Sequence, residues 1–184
     1  MSNIVIISGS PNATSRLNGM IDYVREQLDK LGHSTSTITV VTLPADDLIH
    51  SRFGSAAIVE ANRLVEEAAG VIIASPVYKA SYTGVLKTYL DLLPQKGLEG
   101  KVIAPLFIGG TLAHLLSIDY SLKPVLSSMG ARHFVRGVYA TDSQIGRSQD
   151  GHNRTIFELN EEIADRLQST VEELIAELRL RSQQ

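Results

Sequence analysis

The sequence of 184 residues contains no cysteine and no tryptophan, and its formal net charge is only -3. Without cysteine the chain has no disulfide, no thiolate metal ligand and no cysteine nucleophile. The small net charge and the absence of a block of Lys or Arg leave no electrostatic footprint for nucleic acid or an anionic membrane. We therefore expect neither as a partner. None of the five histidines stands at metal-ligand spacing from another ligand type, so we expect no metal site.

Long hydrophobic runs are also missing. The apolar run at the amino end, Ile4–Ile7, is short and follows no basic segment, so we predict neither a signal peptide nor a membrane span. The expected location is therefore cytoplasmic. The length and the hydrophobic content of 43% suit one globular unit, and we predict a single domain over residues 1–184.

Short apolar runs alternate with longer amphipathic segments. Continuously apolar runs are typical of a parallel sheet covered on both faces, and apolar residues spaced by three and four indicate helices. The predicted strands are Asn3–Ser8, Thr35–Val41, Val71–Ser75, Lys101–Ile108 and Phe134–Tyr139. The predicted helices are Ser15–Leu31, Ser55–Ala69, Tyr82–Leu93, Thr111–Met129 and Arg154–Arg181. This alternation predicts an α/β domain, in which ligands bind beyond the carboxyl ends of the strands.

The loop after the first predicted strand is a candidate phosphate site. Ser10, Thr14 and Ser15 offer hydroxyls, Arg16 offers a guanidinium, and the start of a helix favours an anion. The segment lacks both the G-x-G-x-x-G fingerprint and the G-x-x-x-x-G-K-[ST] P-loop. It therefore suits a terminal phosphomonoester such as that of FMN. A simple helix cap by Thr14 or Ser15 explains the same hydroxyls without a ligand.

The loop after the third predicted strand is a candidate platform for a flat ring. Pro76 stiffens its backbone, so that Val77, Tyr78 and Lys79 can lie along the polar edge of an isoalloxazine. Tyr78 can pack beside the ring, and Lys79 can stabilise negative charge on a reduced flavin or pair with a nicotinamide phosphate. An ordinary loop with packed tyrosines accounts equally well for the spacing.

The loop after the fourth predicted strand contains Gly109 and Gly110, which permit close approach of backbone to a ligand. Thr111 can cap the following helix or contact a ring carbonyl. His114 is expected next to the pocket, where a hydrogen-bonded structural role competes with a role in binding.

The predicted helix Thr111–Met129 contains an anomaly. Pro124 cannot donate a hydrogen bond to the carbonyl of Tyr120, so we expect a kink or a π-bulge, features enriched at functional sites. The apolar residues of this helix spread over more than one face, which indicates either contact with another subunit or a kinked core helix.

Several segments together resemble one known family, the flavodoxin-like NAD(P)H-dependent FMN reductases. They are most similar to the members that supply reduced flavin to alkanesulfonate monooxygenases, densely over residues 3–145 and weakly in the terminal helix. The segments that carry the resemblance are Ser8–Pro11, Ser15–Arg16, Ser75–Thr88, Asp91–Pro94, Gly109–Leu116 and Asp119–Leu126.

The resemblance implies a fold and an activity. The fold is a five-stranded parallel sheet of order 2-1-3-4-5 with helices on both faces. The activity is reduction of FMN to FMNH2 by NADPH or NADH, followed by transfer of FMNH2 to a partner flavin-dependent monooxygenase that desulfonates alkanesulfonates. Because the cofactors supply the hydride chemistry, no catalytic side chain is expected.

The resemblance also implies roles for individual residues. The expected phosphate ligands are Ser10, Ser15 and Arg16. The residues expected to flank the ring are Pro76, Val77, Tyr78, Lys79, Gly109, Gly110, Thr111 and His114. Tyr120 is expected in a π-helix at the interface of a homotetramer. Asn12 stands where many relatives carry Arg, which leaves the phosphate shell one cation lighter and predicts weak retention of FMN.

Two other functions fit the same pattern. A quinone or azo-dye reductase keeps FMN bound and passes electrons to an organic acceptor. A flavodoxin-type electron carrier has no NAD(P)H activity, but the mild net charge argues against it because such carriers resemble strongly acidic proteins.

Overall fold

The computed structural model describes residues 2–182, and its centre is a parallel sheet. The strands of this sheet are β1 (Asn3–Ser8), β2 (Ser34–Thr39), β3 (Gly70–Pro76), β4 (Val102–Gly109), β5 (His133–Phe134) and β6 (Val138–Thr141). Their order is β2-β1-β3-β4-β5, with β6 also paired to β4. The predicted flavodoxin-like fold and strand order are confirmed.

Helices cover both faces of the sheet. They are α1 (Leu17–Lys30), α2 (Ala45–Ile49), α3 (Ala56–Glu67), α4 (Gly84–Leu90), α5 (Lys123–Ser128) and α6 (Glu161–Arg181). In β1, Ile4 and Ile6 face α1 and α6, whereas Val5 and Ile7 face α3 and α4. Both faces of the strand are therefore buried, which explains why its sequence is apolar throughout. Within residues 2–182, no helix is both long enough and apolar enough to cross a bilayer.

The predicted fifth strand, Phe134–Tyr139, is divided into β5 and β6. Val135 donates its N–H to the carbonyl of Ile103 on β4. Ile103 and every second residue of β4 therefore point their backbone N–H and C=O groups toward β5 and β6. The next such residue is Pro105, which has no N–H to donate. Pairing resumes at Leu106, opposite Val138. The prediction of one continuous strand was wrong because the interruption originates in the neighbouring strand.

The predicted helix Thr111–Met129 is also wrong as a continuous element. The chain forms a 3-10 turn over Leu112–His114, a π-helix over Ile118–Leu122, and then α5. The N–H of Lys123 bonds to the carbonyl of Ile118, five residues back. The helix distortion expected from Pro124 is confirmed, since the wider turn precedes the residue that lacks a donor.

A β-hairpin follows the sheet and was not predicted. Strands β7 (Ile145–Gln149) and β8 (Thr155–Leu159) pair antiparallel. The predicted helix Arg154–Arg181 is therefore wrong in its first turns, and α6 begins only after Asn160, whose side chain accepts the N–H of Ile163.

Smaller corrections apply elsewhere. β2 ends at Thr39 and is followed by a 3-10 turn, the short helix α2 was not predicted, and the predicted helix Tyr82–Leu93 is shorter.

Candidate functional site

The loops after β1, β3 and β4 meet in a cleft of about 190 Å³ at the carboxyl ends of the strands. Its lining contains seven predicted site residues: Ser15, Arg16, Pro76, Val77, Tyr78, Gly109 and Gly110. Asn12, Ile108, Asp142 and Arg147 complete the lining. A larger hollow of about 440 Å³ lies near Lys101, at the amino end of β4. The smaller cleft is the candidate site because ligands of parallel sheets bind at the carboxyl ends.

The first loop is ordered by its own side chains. The Ser10 hydroxyl is buried, donates to the carbonyl of Asn12 and accepts the N–H of the same residue. The Asn12 side chain accepts the N–H of Thr14 at 2.8 Å, forming an Asx-type turn. Ser15 lines the cleft and its hydroxyl accepts the N–H of Leu17. Ser10 therefore shapes the loop from beneath, while Ser15 faces the cleft.

Two arginines border this loop. The Nε of Arg16 donates to the carbonyl of Ile145 at 2.8 Å, and Nη1 of Arg147 donates to the carbonyl of Thr14 at 3.0 Å. The sequence indicated Arg16 but not Arg147, which approaches only because the unpredicted hairpin folds back onto the loop. The first loop is therefore bordered by two guanidinium groups, that of Arg16 and that of Arg147.

The loop after β3 turns sharply at its tip. Tyr78 donates its N–H to the carbonyl of Ser81 at 2.8 Å, and Ser81 returns a bond of 3.2 Å to Tyr78. Between them, Lys79 and Ala80 have φ of 51° and 65°, the pattern of a type I′ turn. Tyr78 lines the cleft and is 53% exposed. Lys79 lies at the tip of the turn and is not part of the cleft lining.

Hydroxyl groups hold the base of the same loop. Ser75 accepts the N–H of Thr83 at 3.0 Å and donates to the carbonyl of Pro76 at 2.9 Å. Thr83 caps α4 by accepting the N–H of Leu86. Both hydroxyl residues are buried, so the loop returns to α4 along a fixed path.

The loop after β4 depends on a glycine. A Cβ at Gly109 would overlap the hydroxyl oxygen of Tyr139, whereas a Cβ at Gly110 would meet nothing within 4 Å. The Tyr139 hydroxyl donates to the carbonyl of Thr111 at 2.7 Å. Burial raises the pKa of Tyr139, and the Asp142 carboxylate adds to this effect, so the phenol retains the proton that it donates.

Two other predicted residues of this loop lie outside the cleft lining. The Thr111 hydroxyl accepts the N–H of Ala113 at 3.3 Å, which is a capping contact. His114 lies exposed in the 3-10 turn. Within the part of the chain that the structure describes, no three His, Asp or Glu side chains cluster as metal ligands.

Large apolar side chains are exposed beside the site. We use the term apolar patch for four of them that follow β4: Leu112, Leu115, Leu116 and Tyr120. Tyr120 lies on the π-helix and is 79% exposed. Exposed apolar residues grouped in this way are typical of an interaction surface.

The sheet order defines a flavodoxin-like protein, and the cleft at the carboxyl ends, beside the hydroxyl-rich loop after β1, is its candidate ligand site. Residues 2–146 match the model of the NADPH-dependent FMN reductase family. The chain belongs to that family. It is an FMN reductase whose cofactors are FMN and a reduced nicotinamide dinucleotide.

Known relatives agree with the family. The chain is 43% identical over 157 residues to an FMN reductase (NADPH) of Escherichia coli strain K12, which covers 85% of this chain and 81% of the relative. It is 42% identical over 146 residues to an FMN reductase (NADPH) of Pseudomonas putida strain KT2440, and the match covers 79% of this chain and 74% of the relative. The crystal structure of apo NADH:FMN oxidoreductase EMOB superposes with a TM-score of 0.81 and 35% identity, over 98% of this chain and 89% of the other.

Proposed function

We propose that FMN binds in the cleft with its phosphate at the first loop and its ring between the loops after β3 and β4. Ser15 and Arg16 supply a hydroxyl and a cation at the start of α1, where free backbone N–H groups favour an anion. Tyr78 offers an exposed aromatic face, and Gly109 and Gly110 leave room for a flat group to approach backbone. The residues present therefore fit FMN.

The side chains of the cleft bind and orient rather than react. FMN bound in the cleft would supply the hydride-accepting chemistry, with NADPH as the hydride donor. The cleft lining contains one carboxylate, Asp142, and no histidine or cysteine that could act as a nucleophile or a base at neutral pH. Pro76 and the turn after it hold the Tyr78 backbone in place, and such positioning is the contribution expected from the protein.

The proposed role of the product is to serve a second enzyme. The cleft of one protomer, about 190 Å³, is smaller than the roughly 300–1,000 Å³ usual for sites that enclose their ligands. A ligand that is only partly enclosed leaves readily, which suits a flavin that is released as product. The resemblance of the loop segments to sulfonate-linked members favours a flavin-dependent alkanesulfonate monooxygenase as the acceptor. We place the reaction in the cytoplasm, where NADPH is available.

The same proposal includes a homotetramer assembled through the apolar patch. Leu112, Leu116 and Tyr120 are each more than half exposed, although side chains of this kind are usually buried. A second copy of the chain would cover them.

One set of measurements tests the function. NADPH and NADH oxidation should be followed with FMN, FAD or riboflavin varied, and we expect FMN to behave as a saturable substrate. Sulfite release from an alkanesulfonate should then be measured with a purified flavin-dependent alkanesulfonate monooxygenase. We expect release only when this reductase, FMN and NADPH are all present.

Other results would favour the competing functions. The chain is 25% identical over 148 residues to an NADPH azoreductase of Bacillus sp. strain OY1-2. Retention of FMN through gel filtration, with ping-pong kinetics toward a quinone or an azo dye and no sulfite release, would replace the proposed role with an organic reductase. Absence of any NADPH or NADH oxidation would leave only the electron carrier.

A further inference from the structure

The hairpin β7–β8 is fixed against the amino end of α1. A Cβ atom at Gly19 would lie only 2.7 Å from the Cβ of Phe157 on β8. The hairpin can therefore approach α1 this closely because Gly19 has no side chain. Ile145 is buried at the start of the hairpin, and its carbonyl accepts the bond from Arg16. These contacts give the hairpin a defined position beside the first loop.

Arg147 extends from this hairpin to the first loop. Its Nη1 donates to the carbonyl of Thr14, one residue before Ser15, and the side chain lines the cleft together with Ser15 and Arg16. In the part of the chain that the structure describes, neither Arg16 nor Arg147 has a carboxylate within ion-pair distance. Asp142, the carboxylate in the cleft lining, forms an ion pair with neither guanidinium.

Two guanidinium groups without an ion pair beside a loop of hydroxyls favour a dianion. A phosphomonoester carries nearly two charges at neutral pH, and Arg binds such groups through short charge-assisted hydrogen bonds. On the basis of the proposed function, we propose that Arg147 is a second cationic ligand of the FMN phosphate, supplied by the hairpin rather than by the first loop.

Another phosphomonoester could compete for the same side chain. Arg147 also borders a separate polar hollow of about 370 Å³, together with Thr14, Ser148, Gln149 and Thr155. The 2′-phosphate of NADPH has the chemistry to bind there. The FMN phosphate is favoured because Arg147 shares the cleft with Ser15 and Arg16, and because its bond to Thr14 directs the guanidinium toward the phosphate loop.

The test compares FMN with riboflavin, which lacks the phosphate. Equilibrium dissociation constants for both flavins are measured by fluorescence titration with the parent protein, Arg147→Ala and Arg154→Ala. Arg154 is the matched control, because it is also an exposed arginine of the hairpin segment, but it lies outside the cleft lining and its guanidinium faces Asp150. We expect Arg147→Ala to weaken FMN binding roughly tenfold or more, to leave riboflavin binding within about twofold of the parent, and to leave the ratio of KM for NADPH and NADH unchanged. Arg154→Ala should bind both flavins as the parent does.

Each other outcome contradicts the assignment. Equal weakening of FMN and riboflavin would mean that Arg147 only supports the loop. A change confined to the NADPH to NADH ratio would assign Arg147 to the dinucleotide phosphate, and no change at all would remove it from both sites. Thermal unfolding of each variant shows whether the hairpin remains folded. If the parent protein itself fails to bind FMN, the proposed function fails, and that result is distinct from failure of Arg147→Ala to differ from the parent.

Discussion

The hydroxyl of Thr83 donates a hydrogen bond of 2.6 Å to the carbonyl oxygen of Gly9. It joins the loop after β1 to the start of α4 across 74 positions of sequence. The contact is close because Gly9 has no side chain: a Cβ there would lie 2.5 Å from the Cβ of Leu86. The proposed phosphate loop and ring platform are therefore parts of one connected structure.

Replacement of Thr83 by Val should loosen both loops. The variant loses the bond to Gly9 and the cap on the N–H of Leu86, both buried, so we expect the free energy of unfolding to fall by roughly 1–3 kcal/mol. FMN affinity should fall with it. Urea denaturation and flavin titration measure the two effects. Thr88→Val is the control, because the Thr88 hydroxyl bonds only to a carbonyl within its own helix. Equal losses in both variants would mean that the link to Gly9 is unimportant.

The two glycines after β4 should respond differently to alanine. Gly109→Ala forces a methyl group against the buried Tyr139 hydroxyl, and overpacking of this kind costs roughly 1–3 kcal/mol. Gly110→Ala has open space for its methyl group, so its stability should match the parent within about 0.5 kcal/mol. The urea midpoints of the two variants provide the comparison. Similar midpoints would show that Tyr139 moves aside without cost.

The turn at Lys79 and Ala80 stores backbone strain that glycine should relieve. A residue with a side chain in the left-handed region is less stable by roughly 1–2 kcal/mol, and Ala80 has φ of 65°. Glycine also increases the conformational entropy of the unfolded chain, which offsets part of this gain. We therefore expect Ala80→Gly to raise the free energy of unfolding by about 0.5–1 kcal/mol. Ala176→Gly, at an exposed position in the interior of α6, should instead lower it by about 1 kcal/mol. A destabilised Ala80→Gly protein would contradict the strain.

Alkaline pH should destabilise the fold through Tyr89. Its side chain is fully buried and its hydroxyl donates to the side chain of Asn62, and burial raises its pKa above the ordinary value of 10.0. Above pH 10 the unfolded chain releases this proton while the folded chain keeps it. The contribution of Tyr89 to the free energy of unfolding is therefore fully present below pH 10, and it is lost as the pH rises from 10 toward the higher pKa of the folded state.

Tyr89→Phe should be less stable than the parent at pH 7 by roughly 1 kcal/mol, because Asn62 loses a partner. Its stability should decline less between pH 10 and pH 11, since no phenol remains at this position. Tyr78→Phe, at a position that is 53% exposed and lies outside the apolar patch, should keep the slope of the parent. Urea unfolding at the three pH values provides the comparison, and parallel slopes for Tyr89→Phe and the parent would exclude Tyr89 as the cause.

Assembly should depend on the apolar patch. Leu116 is 57% exposed within the patch, and Leu180 is 58% exposed on α6, so the two leucines form a matched pair. We expect Leu116→Glu to shift the mass measured by light scattering from that of a tetramer toward smaller species. Leu180→Glu should leave the mass unchanged. A parent protein that is already monomeric, or a tetrameric Leu116→Glu variant, would exclude assembly through this patch.

The sequence predicted those helices and strands that are specified by the spacing of apolar residues within the segment itself. The apolar run of β1 and the spacing of Leu17, Met20 and Val24 in α1 are local patterns, and both elements appear close to their predicted places. The break in the fifth strand was not predictable in this way, because it follows from Pro105 in another strand. The hairpin was missed because the strong helical spacing after Asn160 was extended backward over Thr155–Leu159. The capping contact of Asn160 with Ile163 marks the true start of α6.

The candidate site likewise contains parts that follow from the fold topology and parts that depend on tertiary packing. The loops after β1, β3 and β4 were predicted to converge because the topology of a parallel sheet requires it. Arg147 could not be inferred, since its approach to Thr14 depends on how the hairpin packs on α1. Asp142 likewise enters the lining only through the path of the chain after β6.

The hairpin begins at Ile145, where the part of the chain matched by the family model is ending at residue 146. None of its strands pairs with the central sheet. A change of length or charge in the hairpin therefore leaves the sheet ladder intact. If Arg147 binds the FMN phosphate as proposed, substitutions confined to the hairpin should alter how firmly the cleft holds an anionic ligand without disturbing the sheet.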